Sequence, residues 1–97
     1  MMLGTAQYIN LLPNAPTNLT ASNETATTVD LAWDAVSQAG GYIIYQDGAE
    51  IAEVTTNSYQ ATGLTTATTY EFYVTAFSDD IYKVESDASN TVSVTTL

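Results

Sequence analysis

The 97-residue sequence contains no cysteine, no histidine and no arginine, and Lys83 is its one lysine. Each absence removes a class of function. Without cysteine there is no disulfide framework, so a packed apolar core must hold the chain together. Without cysteine or histidine there is no thiol nucleophile, no imidazole base and no zinc site built from those ligands. A single lysine cannot displace the counterions of a phosphate backbone, which excludes nucleic acid as a partner. Attraction to an anionic membrane surface fails for the same reason, and no apolar run is long enough to cross a bilayer. Glycine and proline are scarce, at five and two residues, and no stretch after the first twelve residues reads as a linker. A chain of this length is one small domain.

What is present is acid. Eleven Asp and Glu against one cation give a net charge of −10, so the surface repels copies of itself and other anions, and the isolated domain is expected to be a monomer. A carboxylate pair for glycoside hydrolysis is the one enzyme chemistry this composition permits. It requires two acids facing each other across a cleft, which a domain this small does not provide. Serine and threonine are abundant, but no base is available to activate them. The expectation is a non-catalytic binding or structural module that needs no cofactor and no metal.

Apolar residues alternate with polar ones in short runs, a period of two with no competing helical period. Leu19 and Ala21 alternate after Ala15-Pro16, where proline suits the start of an edge strand. Val29, Leu31 and Trp33 form a second run, and Tyr42-Ile43-Ile44-Tyr45 a third, after Gly40-Gly41. Asp47-Gly48 separates that run from Glu50–Val54 and predicts a tight hairpin, because such turns need positive φ at both central residues. Tyr59 and Ala61 form a short fifth strand. Tyr70, Phe72, Val74 and Ala76 alternate with Glu71, Tyr73, Thr75 and Phe77 in the sixth, and Val92 and Val94 mark the seventh. The pattern predicts an all-β fold, a seven-stranded antiparallel immunoglobulin-like sandwich.

From about Asn14 to Thr96 the chain resembles a fibronectin type III domain, most of all the short bacterial and phage versions. The features that carry the resemblance are Ala15-Pro16-Thr17-Asn18-Leu19, Val29-x-Leu31-x-Trp33 and Gly41-Tyr42-x-Ile44-Tyr45, then Gly63-Leu64 through Tyr70-x-Phe72-x-Val74-x-Ala76, and Ser86-Asp87-Ala88-Ser89-Asn90 with Val92-x-Val94. Together and in order they are specific. The resemblance implies strands A-B-E packed on C′-C-F-G over residues 13–97. It further implies an accessory or spacer module in a larger extracellular bacterial or virion-surface protein, with neighbouring domains as partners. Such a sandwich carries no fixed ligand.

The inward phase assigns Leu19, Val29, Leu31, Trp33, Tyr42, Ile44, Tyr59, Leu64, Tyr70, Phe72, Val74, Val92 and Val94 to the core. Trp33 and Tyr42 are therefore packing residues rather than a sugar platform. Tyr70 follows Leu64 at the spacing of a tyrosine corner, whose hydroxyl bonds to upstream backbone. The opposite phase places Ile43, Tyr45, Tyr73 and Phe77 on one solvent face, joined by Ile81 and Tyr82 from the loop between the sixth and seventh strands. This face is the candidate docking surface, for a neighbouring domain, a protein receptor or a polysaccharide.

That same loop, Ser78 to Ser86, contains no Arg-Gly-Asp tripeptide, nor does the rest of the chain. Its carboxylates lack the spacing and the glycine of a calcium loop and read as a solvated acidic segment. Residues 1–12 lack a basic start and a small-residue cleavage site. They are read as an extension or the remnant of an upstream segment.

Overall fold

A computed structural model describes residues 13–79 and 83–97. The strands are β1 (Thr20–Ser22), β2 (Val29–Ala32), β3 (Ala39–Gln46), β4 (Ala49–Val54), β5 (Ser58–Ala61), β6 (Thr69–Ser78) and β7 (Val92–Thr95). They form two antiparallel sheets, β1-β2-β5 and β4-β3-β6-β7. Asp47 and Gly48, with φ of 51° and 86°, turn β3 directly into β4, as the dipeptide predicts.

Antiparallel pairing gives the sandwich two distinct poles. At one, the chain reaches β1, and the connections after β2, β4 and β6 gather beside it. Asp34 N–H bonds there to Thr17 O, and Trp33 N–H to Asn57 O. At the other pole, Leu97 N–H bonds to Thr25 O and Ala67 N–H to Leu97 O, and Asp47 N–H bonds to Glu71 O. Among the described residues, the chain thus enters β1 at one pole and leaves β7 at the other.

Of the expected core, all but Tyr59 and Val92 are buried. These two are half-buried and pack against the core from the edge strands β5 and β7. Ala61 and Ala76 join the core, small side chains where the sheets approach. Trp33 and Tyr42 meet edge to face at 5.4 Å between ring centroids, and the Tyr42 hydroxyl accepts Val36 N–H at 2.8 Å. The Tyr70 hydroxyl accepts Thr65 N–H at 2.8 Å, which forms the tyrosine corner.

The segment leading into β7 is bound to β6 by side chains that stand in for backbone. Ser86 N–H bonds to Ala76 O, and Ala76 N–H returns to Ser86 Oγ at 2.9 Å. Ser89 repeats the exchange with Val74, again at 2.9 Å from Val74 N–H to Ser89 Oγ. Next in the chain, Asn90 clamps the other sheet. Its Oδ1 accepts Leu19 N–H and its Nδ2 donates to Leu19 O, both at 3.0 Å. One amide therefore ties the start of β1 to the last segment of the chain.

Trp33 is 3% exposed, and its indole N–H meets no acceptor among the described residues. Trp33→Ala should cost about 3–5 kcal/mol in urea unfolding, from lost contacts and a cavity. Trp33→Phe should cost clearly less, since it keeps the aromatic contact and deletes a polar atom that bonds nothing. Equal losses for the two would contradict this packing account.

Candidate functional site

The outer face of the four-stranded sheet is built on the pairing of β3 with β6. Their register sets Gly41 opposite Phe77, Ile43 opposite Thr75 and Tyr45 opposite Tyr73. This is the phase expected from the sequence. Tyr45 and Tyr73 are half-buried and stack across the strands, with ring centroids 4.7 Å apart and an interplanar angle of 15°. Cross-strand aromatic pairs of this kind add to sheet stability.

Exposure departs from expectation at two positions. Ile43 and Phe77 were expected at the solvent face, yet they are 7% and 9% exposed. Residues 83–85 lie back against β6 and cover this part of the face. Ser78 N–H bonds to Val84 O, and Phe77 bridges to Glu85. The Phe77 ring settles over Gly41, where an added Cβ would lie 2.6 Å from Phe77 Cζ. Lys83 Nζ covers the ring at 4.7 Å from its centroid and pairs with Glu53 at 2.6 Å. Both partners of that ion pair are well exposed, so the pair itself adds little stability; its effect is to roof Phe77. Ile81 and Tyr82, the remaining members of the expected surface, lie outside the described residues.

Glu85 is the acid that sequence reasoning set aside as loop charge. Its Oε2 accepts the Tyr45 hydroxyl at 2.5 Å and Thr75 Oγ1 at 2.6 Å. The signal that could have revealed it is the glycine at position 41, whose missing side chain makes room for Phe77 and so draws the following segment across the sheet. Among the described residues, no three acids gather as a metal site. Asp79, Glu85 and Asp87 are exposed, and Asp80 lies outside the described residues.

The hydrogen bond that it donates to Glu85, then burial and the charges of Glu85 and Glu50, push the Tyr45 hydroxyl up from the usual 10.0 to about 12. The ring therefore stays neutral and held in place through the physiological range.

The model of the fibronectin type III domain matches residues 14–92. The chain belongs to the fibronectin type III family. It is 40% identical over 83 residues to a poly(3-hydroxybutyrate) depolymerase of Ralstonia pickettii, covering 86% of this chain and 17% of that protein. It is also 40% identical over 96 residues to chitinase C of Streptomyces lividans, covering 96% of this chain and 15% of that one. The chain thus spans less than a fifth of these relatives. Among solved structures, a Fn3-like protein from Clostridium thermocellum superposes with a TM-score of 0.75 at 29% identity, over 84% of this chain and 90% of that one. The matches to larger enzymes make this fibronectin type III domain an accessory, non-catalytic module of the kind found within longer chains.

The Tyr45 contact has a pH signature. Because the folded hydroxyl titrates above its unfolded value, the stability it adds is complete below about pH 10 and is lost as pH rises toward 12. Glu85→Gln should bring the Tyr45 transition down toward 10, read by ultraviolet titration against a Tyr45→Phe reference. An unchanged transition would show that Glu85 does not hold the hydroxyl.

Proposed function

We propose that this fibronectin type III domain is a spacer and interaction module of a larger extracellular bacterial protein, holding its neighbouring domains at a set distance. The observation that carries this reading is that the two ends of the described sandwich lie at opposite poles, tied by Thr17–Asp34 at one and by Leu97 with Thr25 and Ala67 at the other. A chain that passes from pole to pole transmits orientation along the strands. β6 alone, with ten residues, spans about 33 Å at the rise of an extended strand. The relatives support a bacterial enzyme of a polymer as the parent, in keeping with the chitinase and depolymerase names. The virion-surface setting draws on the resemblance alone.

A second reading is that the module also docks a partner, a protein receptor or a polysaccharide, through the outer face of β3 and β6. The Tyr45–Tyr73 stack favours it, because two large rings remain half-exposed on a face otherwise roofed by its own chain.

The absence of native cysteine makes the spacer reading simple to test. Dyes attached to Asn14→Cys and Leu97→Cys should report one narrow distance distribution centred at about 35 Å, the span of the longest strand. A broad distribution, or one centred below about 20 Å, would contradict a rigid pole-to-pole spacer.

A further inference from the structure

We propose that the outer face of β4, β3 and β6 docks a cationic protein surface, whose arginine or lysine side chains lie against the Tyr45–Tyr73 stack. This rests on the docking reading above and names the chemistry of the partner. The first argument is what the face already does. Lys83 sits over the Phe77 ring and against Glu53, so cation, ring and carboxylate come together one end of the same β3–β6 ladder. The attraction is that of a positive charge for the negative face of an aromatic ring, strengthened by a neighbouring anion. Four register pairs along, and on the same face, the Tyr45–Tyr73 pair repeats the ring and the carboxylate without the cation.

The second argument is charge complementarity. Glu50 pairs in register with Tyr45, and Glu71 precedes Tyr73 by two residues on β6. Glu85 holds the Tyr45 hydroxyl. Glu50, Glu71 and Glu85 are exposed, and among the described residues the one ion pair is that of Lys83 with Glu53. Ile51, exposed by 38%, is the extra residue of a bulge beside Tyr45. An apolar centre with an uncompensated acidic rim suits guanidinium groups, which stack on rings and bond carboxylates at once. The net charge of −10 steers cationic partners in and turns away a second copy or an anionic polymer.

The third argument concerns what fits less well. Stacking hides one face of each tyrosine, which leaves no broad flat platform for a pyranose ring. The outer face of the other sheet, with Thr20, Ser22, Asp30, Ala32, Ser58 and Gln60, has no aromatic residue and serves as an internal control.

The test is amide NMR shift mapping of the 97-residue chain with three probes: a tetra-arginine peptide, chitohexaose and cellohexaose, in dilute salt where screening is weak. The expected result is that tetra-arginine shifts Ile43, Tyr45, Glu50, Tyr73 and Glu85 and leaves Thr20, Asp30 and Gln60 in place. Glu50→Gln with Glu71→Gln, both at exposed positions, should weaken it about fivefold, as should Tyr73→Ser. Shifts spread over every acidic residue and unchanged in the variants would overturn the proposal, because they report bulk charge. Shifts on this face from a neutral oligosaccharide and none from tetra-arginine would overturn the cation preference while the docking reading stands. No shift from any probe would overturn both.

Discussion

The antiparallel pairing of β3 with β6 is the constraint on which the rest of this structure depends. One side of the ladder carries Tyr42, Ile44, Phe72, Val74 and Ala76 into the core. The other carries Ile43, Tyr45, Tyr73, Thr75 and Phe77 outward. Since side chains alternate with period two, a slip of one residue would exchange the sets and bury the hydroxyls of Tyr45 and Tyr73 among apolar groups. The register that builds the core is therefore the same one that assembles the outer aromatic face.

A chain without disulfides closes this sandwich with polar side chains of short reach. Ser86 and Ser89 supply acceptors to Ala76 and Val74 where the backbone ladder is interrupted, and Asn90 joins the two sheets through Leu19. Each of these bonds satisfies a buried or half-buried amide that would otherwise be costly to leave unpaired. The same segment delivers Lys83 and Glu85 to the outer face. Closure of the fold and cover of the face are thus one structural event, and a single lysine is enough for both Phe77 and Glu53.

The strands, the Asp47-Gly48 turn and the tyrosine corner were legible because period-two patterning and turn chemistry are local properties, whereas the order of the strands in the two sheets came from the family resemblance. Trp33 and Tyr42 were assigned inward on phase alone, and they pack there. The burial of Ile43 and Phe77 was not legible, since it depends on where a later segment returns. Glu85 is the plainest case. In sequence it is one more acid in an acidic stretch, and its partners Tyr45 and Thr75 lie 40 and 10 residues away. Alternation states which way a side chain points, whereas what lies above it is a matter of long-range closure. Tyr59 and Val92 show the converse limit: their phase is inward, yet they stay half-buried while Ala61 and Val94 on the same edge strands are buried.

The central claim is that the two sides of this ladder do different work, the inner side holding the fold and the outer side meeting a partner. Adjacent rungs allow a direct comparison, for Ile44 pairs with Val74 and Tyr45 with Tyr73. Urea unfolding of the double variant Ile44→Ala, Val74→Ala should show a loss of several kcal/mol, on the order of 3–6, because both side chains are fully buried. The double variant Tyr45→Ser, Tyr73→Ser should lose about 1–2 kcal/mol, the worth of a cross-strand aromatic pair and a partly exposed hydrogen bond. A loss on the outer rung equal to that on the inner one would make the tyrosines a structural element and contradict the account.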